Sequence, residues 1–282
     1  MKKIIVPVDF SDEASHALNF AVEFNEKVGG EIVLVHVIEM PVGHLNFTGE
    51  IDHSGTEAFY TGEFIKATHN KLDEWSKRVV EAGQDVSVHM KYGNAYSNIS
   101  KLIAEEKASW IVMGSKGASG LREVFMGSNA ERMIRFAECP VIIVKGETHL
   151  KDMKSMAFAS DLSQEQDLIA DHAKDLQKML GLNMHVVKVK TPYNWLDETQ
   201  AKKHLEHFAE RNHLEDFTLS TVDADFADQG AVKFAEDVKA GMIVLGTHGK
   251  KGLAHFFGGS IAEDVVNESK IPIVVFKIWD IS

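Results

Sequence analysis

The residues whose spacing points to chemistry in this sequence are glycines, and their pattern occurs twice. One set reads Gly114-x-x-Gly117, nine residues, then Gly127-Ser128; the other reads Gly246-x-x-Gly249, nine residues, then Gly259-Ser260. Each set follows a short β-branched apolar run that reads as a strand. Glycines leaving the carboxyl end of a parallel strand let backbone approach a ligand closely and adopt φ > 0. Each Gly-Ser pair opens a helix-periodic stretch, so the amide N–H groups of a helix start point outward beside a hydroxyl, a natural anion seat. Together the pieces describe a phosphate cradle built mainly from backbone. The plain alternative is that the glycines only make tight turns, where glycine is the commonest residue. Recurrence does not separate the two readings, because duplication copies structure as well as function. The spacing does exclude others. Neither loop contains Gly-x-Gly-x-x-Gly or Gly-x4-Gly-Lys-Ser/Thr, so a nicotinamide dinucleotide fold and a Walker-type NTPase are unsupported.

Other chemistry-bearing types are weaker. Asp9 and Asp161 each follow a strand and precede a serine (Ser11, Ser163), which fits either a helix-capping turn or a carboxylate facing a pocket. His204-x-x-His207, with His213 nearby, lacks a third ligand at fixed spacing and reads as a solvated helix face, as do His44 and His53 in a loop. Cys139 has no cysteine partner and precedes a buried strand, which favours packing over nucleophilic chemistry. Lys116 and Arg122 in the first glycine loop, and His248, Lys250, Lys251 and His255 in the second, add positive charge where a small anion would sit. Phosphoryl transfer also needs a positioned base and charge on the transferring group. No arrangement of Ser128, Ser260 and the loop lysines assigns those roles, so no catalytic residue and no metal ligand is named.

The elements that must position these residues come from an internal repeat. Residues 110–145 align without a gap to residues 242–277 at an offset of 132, with 13 identities in 36 positions. Residues 5–11 and 34–37 align to 157–163 and 186–189 at an offset of 152. The first half therefore carries about 20 extra residues, assigned to a loop over 40–63. In the first half, strands are expected at 3–8, 31–38, 85–91, 110–113 and 141–145, and helices at 12–28, 64–82, 95–107 and 128–137. Alternation of strand and helix forces crossover connections, hence an α/β fold with a mostly parallel sheet and helices on both faces. The division is 1–146, a linker at 147–154, and 155–282.

Composition agrees with two ordinary globular domains: 44% hydrophobic, 26% charged, 21 Gly and only 5 Pro among 282 residues exclude collagenous, low-complexity and wholly disordered chains. With 30 Lys plus Arg against 42 Asp plus Glu, the net charge is −12, which makes a nucleic acid or an anionic membrane a poor partner. No apolar run approaches the roughly 18 residues of a membrane span, and the initial run ends at Asp9, too soon for a signal peptide. A single cysteine suits a reducing compartment. The expectation is a soluble, cytoplasmic chain.

Each half resembles the universal stress protein family, and the whole resembles its tandem members. The resemblance rests on Val8-Asp9-Phe10-Ser11 after strand one, His36-Val37 closing strand two, and the Gly-x2-Gly-x9-Gly-Ser signature. It covers nearly the whole chain, more weakly over 47–62 and 193–223. It implies two Rossmann-like domains, each a five-stranded parallel sheet of order 3-2-1-4-5, and an adenine nucleotide (ATP, ADP or AMP, with or without Mg²⁺). By the same resemblance Asp9 would sit near ribose and metal, the Val37 backbone would meet adenine, and Gly114, Gly117, Gly127 and Ser128 would hold phosphates. The second-half counterparts are Asp161, Val189, Gly246, Gly249, Gly259 and Ser260. That half departs from the pattern at Ala159 for Pro7, Lys188 for His36 and Asp225 for Gly93. Relatives also pair their last strands across a two-fold, which implies an antiparallel pairing of 141–144 with 273–276 within this chain, with a further homodimer left open. Three functions follow as alternatives: a nucleotide-responsive stress regulator, a nucleotide-independent scaffold, and a slow ATPase.

Overall fold

Runs such as Ile4-Ile5-Val6 and Val141-Ile142-Ile143-Val144 are almost wholly shielded from solvent, as a sheet covered on both faces requires. The computed structural model describes residues 1–39, 56–116, 126–247 and 261–278. The first half runs β1 (Lys2–Pro7), α1 (Asp12–Val28), β2 (Gly30–Ile38), α2 (Thr56–Glu81), β3 (Val86–Tyr92), α3 (Ala95–Glu106), β4 (Trp110–Gly114), α4 (Ser128–Phe136) and β5 (Val141–Val144). The second runs β6 (Ser155–Ala159), α5 (Asp167–Leu180), β7 (Asn183–Lys190), α6 (Glu198–Arg211), β8 (Phe217–Asp223), α7 (Ala227–Asp237), β9 (Met242–Thr247), α8 (Ile261–Glu268) and β10 (Ile273–Lys277).

All ten strands join one sheet in the order β3-β2-β1-β4-β5-β10-β9-β6-β7-β8. Each half thus has the order 3-2-1-4-5, and within each half every pair is parallel. The halves meet through β5 and β10, which run antiparallel with Ile273 opposite Ile143 and Val275 opposite Val141. This pairing covers two sheet edges that would otherwise expose unpaired N–H and C=O groups. One core layer lies under α1, α2, α5 and α6, and the other under α3, α4, α7 and α8.

The junction is also packed by side chains. Trp110 of the first half meets Phe276 edge-on at 5.7 Å, while His172 stacks on Phe276 at 5.1 Å. Arg135 of α4 grips both carboxylate oxygens of Glu263 of α8 through its Nε and Nη2, with Nη2 to Oε2 at 2.6 Å. Glu23 of α1 accepts from His149 Nδ1 at 2.6 Å and from the Leu150 amide at 2.7 Å, pinning the short 3-10 turn Leu150–Asp152 that leads into β6.

The expected boundaries need two corrections. α2 begins at Thr56 rather than near 64, inside the stretch read as loop, because scattered Gly and Thr obscured the helical period. The strand register also moves one residue of the repeat. Ile38 pairs with Tyr92, but its counterpart Lys190 pairs with Asp223, so Ala224 follows the strand where Gly93 does. Asp225 is then an extra residue before α7 and does not replace Gly93. A gapless alignment cannot register a one-residue insertion it never crosses.

Candidate functional site

The carboxyl ends of β1, β2 and β4 open into a cavity of about 350 Å³, bordered by Asp9, Val37, Gly114, Gly127 and Ser128 among others. It lies where strand order reverses beside β1, the crevice in which open parallel sheets bind ligands. Asp9 reaches it through a strained turn. Phe10 has φ 64, a left-handed conformation that costs a non-glycine residue roughly 1 kcal/mol or more. The same feature recurs at Leu162 with φ 67. Nothing in the residue types Phe and Leu signals it. Asp9 Oδ1 accepts from the Ser11 amide at 3.0 Å and from Ser11 Oγ at 2.5 Å, and Ser11 Oγ in turn accepts from Ala14 N at 3.2 Å as the cap of α1. Asp9 therefore orders the turn and still borders the cavity. Behind it, Phe10 packs on His36 at 4.6 Å and on Trp75 at 5.5 Å, an aromatic brace that the sequence reading missed.

Helix α4 enters with its first turn uncapped. Gly127 is its N-cap, is extended at φ −66 and ψ 146, and contributes no side-chain bond. Its own N–H donates to the Ser115 carbonyl at 2.8 Å, which anchors the cap. Gly127, Ser128, Asn129 and Ala130 all border the cavity, so the helix's opening N–H groups and partial positive charge face it. Lys116 stands at the same border. Lys145, at the end of β5, has its ammonium pushed down to about 8 by burial, with Lys116 adding repulsion and Glu13 opposing it. The region thus gathers cationic groups in an otherwise acidic chain.

Gly114 has a further reason to be glycine. A Cβ there would stand 3.0 Å from both Cβ and carbonyl O of Glu13, so the missing side chain lets the first turn of α1 close on β4. Gly246 does the same in the second half, where a Cβ would meet Gln166 Oε1 at 2.7 Å and Ile169 Cγ1 at 2.8 Å. Both glycines therefore serve helix packing against their strands. Gly117 and Arg122, and Gly249, Gly259, Ser260, His248, Lys250, Lys251 and His255, lie outside the described residues, as do His44 and His53.

In the second half Asp161 Oδ1 accepts from the Ser163 amide at 2.9 Å, repeating the Asp9 turn. The helix beyond it starts differently, since Gln164–Gln166 form a 3-10 turn before α5. Lys188 replaces His36 and, buried, donates from Nζ to the Asp161 carbonyl at 3.0 Å; burial lowers its pKa. Val189, next to last in β7, is buried at 8% exposure. Outside the site, His204 and His207 lie on the exposed face of α6. Cys139 is buried, and burial pushes its thiol up to about 12. No helix among the described residues is long and apolar enough to cross a membrane.

Known proteins agree with this architecture. The sequence model of the Universal stress protein family matches residues 1–145 and again 153–277. A universal stress protein of Methanocaldococcus jannaschii is 32% identical over 148 residues, which cover 51% of this chain and 82% of the relative. One from Synechocystis is 23% identical over 298 residues, covering 98% of this chain and all of the relative. The crystal structure of a universal stress protein from Archaeoglobus fulgidus shares the fold, with a TM-score of 0.76 at 23% identity over 99% of this chain and 97% of that one.

Proposed function

The chain belongs to the universal stress protein family, and from that premise we propose that it binds an adenine nucleotide (ATP, ADP or AMP) in the first half and responds to it as a stress regulator. The observation that carries this reading is the convergence of an uncapped helix start with Lys116 on one cavity of about 350 Å³. That volume is within the range of small-molecule sites. In the proposed pose the phosphates lie on the N–H groups of Ser128 and Asn129, since the Gly127 N–H is held by Ser115, with Lys116 alongside; Gly114 and Gly117 are the remaining glycines of the expected set. Asp9 is the carboxylate placed for ribose hydroxyls or for a phosphate-bound Mg²⁺, and the Val37 peptide edge is placed for the base.

Asp161, Gly246, Gly249, Gly259 and Ser260 form the corresponding second-half set. The antiparallel junction of β5 and β10 would make one chain do the work of a two-fold pair, with cytoplasmic residence suited to its single buried thiol. The scaffold reading keeps one observation in its favour, the packing role of Gly114. No residue is assigned as a base, so turnover beyond slow hydrolysis is not proposed.

Calorimetric titration with ATP and AMP, with and without Mg²⁺, tests the reading against Gly127→Asp. Position 127 has an ordinary extended backbone that aspartate adopts readily, so the variant places a carboxylate at the anion seat without backbone strain. Affinity should fall about 100-fold or more, as expected for a like charge beside the phosphates. Equal binding by the variant, or no binding by the folded wild type, would sink the reading.

A further inference from the structure

The end of β7 already holds an occupant. Residues 191–194 (Thr-Pro-Tyr-Asn) make a turn in which the Asn194 amide donates to the Thr191 carbonyl at 3.1 Å. Pro192 takes the second position, where its fixed φ suits such a turn. The turn folds the Asn194 carboxamide back over the strand end. Its Nδ2 donates to the Val189 carbonyl at 3.3 Å, and its Oδ1 accepts from the Thr191 amide at 2.6 Å and from Thr191 Oγ1 at 3.3 Å. A planar group with a donor beside an acceptor thus rests on the Val189–Thr191 peptide edge.

The repeat places Val189 and Thr191 at the positions of Val37 and Glu39, both of which border the first-half cavity. Two further observations set the halves apart. Val189 is closely covered by α7: a Cβ on Gly230 would stand 2.4 Å from Val189 Cγ1, so only glycine permits that approach. The first half has Asn98 at the place of Gly230, and Val37 is only partly buried. The turn bearing Asn194 is also anchored at both ends. Lys190, buried, pairs with Glu198 and Asp223 at 3.1 Å each, and Asp197 caps α6 by accepting from Gln200 N at 2.9 Å. The counterparts of Lys190 and Asp223 across the first-half ladder are the uncharged pair Ile38 and Tyr92.

We infer that the second half is a self-occupied copy of the first: the Asn194 carboxamide holds on β7 the place that a ligand's planar donor–acceptor edge holds on β2. The chain therefore binds one nucleotide equivalent, with the base edge on Val37–Glu39. The stoichiometry rests on the reading above; the occupied strand end does not. Asn194 also displays the chemistry that the first-half edge selects, a hydrogen-bond donor adjacent to an acceptor in one plane. Adenine offers that pair.

The test joins calorimetry with amide exchange on the full chain. Titration with Mg-ATP should give one equivalent, abolished by Gly127→Asp and unchanged by Asn194→Ala. In the nucleotide-free protein the Thr191 amide should be protected, and Asn194→Ala should speed its exchange about tenfold, the scale of one lost hydrogen bond. Asn194→Asp keeps the acceptor and should keep that protection. Two equivalents in the wild type, or nucleotide retained by Gly127→Asp, overturns the inference. No binding at all defeats the first-half reading, and the exchange data then judge the strand end alone: a wild-type Thr191 amide that exchanges freely overturns it, and one released only by Asn194→Ala upholds it.

Discussion

Gly114→Ala asks whether this glycine serves helix packing or ligand approach. The new methyl would lie 3.0 Å from the Glu13 carbonyl oxygen and 3.1 Å from its carbonyl carbon. Non-bonded carbons rest about 3.5–4.0 Å apart, so α1 must retreat by roughly half an ångström. The atoms struck are backbone, and no side-chain rotation relieves them. Adding a methyl to a packed interior costs about 1–3 kcal/mol, and the stiffer unfolded chain of alanine returns about 0.4–1 kcal/mol. The net loss is then about 1–2 kcal/mol, or about 2–8 °C in Tm at roughly 2–4 °C per kcal/mol. Gly246→Ala is the internal comparison. Its methyl strikes side chains, Gln166 Oε1 and Ile169 Cγ1, and among the described residues that Oε1 has no hydrogen bond to lose on swinging aside. It should cost less, about 1 kcal/mol. Urea and thermal unfolding measure both variants, and nucleotide titration of Gly114→Ala should show less than about a tenfold change, since the displaced atoms lie in α1 rather than the cradle. A variant as stable as wild type that loses binding about 100-fold would refute the packing argument.

Two further outcomes are expected. Arg135→Met withdraws the guanidinium from Glu263, whose side chain is only 6% exposed, and should cost about 2–3 kcal/mol; Glu263 retains other interactions, which holds the loss below the usual range for a broken buried pair. Glu263→Gln should cost less, about 1 kcal/mol, because Arg135 is partly exposed and keeps Glu131 at 3.3 Å; urea unfolding that ranks the two the other way would contradict this. The His149 pKa is raised, chiefly by its hydrogen bond to Glu23, so the contribution of charged His149 to pinning the turn at Leu150–Asp152 is complete below about pH 6.5 and is lost as pH rises through the folded-state value, while the Leu150 amide bond to Glu23 remains. An NMR titration should find His149 above the ordinary histidine value and returned toward it in Glu23→Gln; an unmoved midpoint would count against the contact.

Much of the fold was legible because it is local and repeated. β-branched runs mark strands, three-to-four spacing marks helices, and Ser11 marks the start of α1, which begins at Asp12 as expected. The 3-2-1-4-5 order came from the family resemblance, since periodicity carries no information on which strands are neighbours. Of the candidate site, Gly114, Gly127 and Ser128 stood out by their spacing after a strand and before a helix, whereas Asp9 and Val37 were placed at the site by the family resemblance; all five border the cavity. The brace of Phe10, His36 and Trp75 was not legible, because Trp75 reaches it from a helix far along the chain.

The sequence by itself determined the repeated unit, its alternation of strand and helix, and the glycine and serine positions at strand ends. These are consequences of backbone preference and hydrophobic period, which act within a few residues. Tertiary structure alone decided which side of Gly114 is crowded, that Gly230 lets α7 close on Val189, and that Arg135 finds Glu263. Those outcomes depend on distances of a few tenths of an ångström between elements remote in the chain. Two halves with the same glycine signature thereby acquire different strand ends: β2 borders an open cavity, and β7 is covered by Asn194.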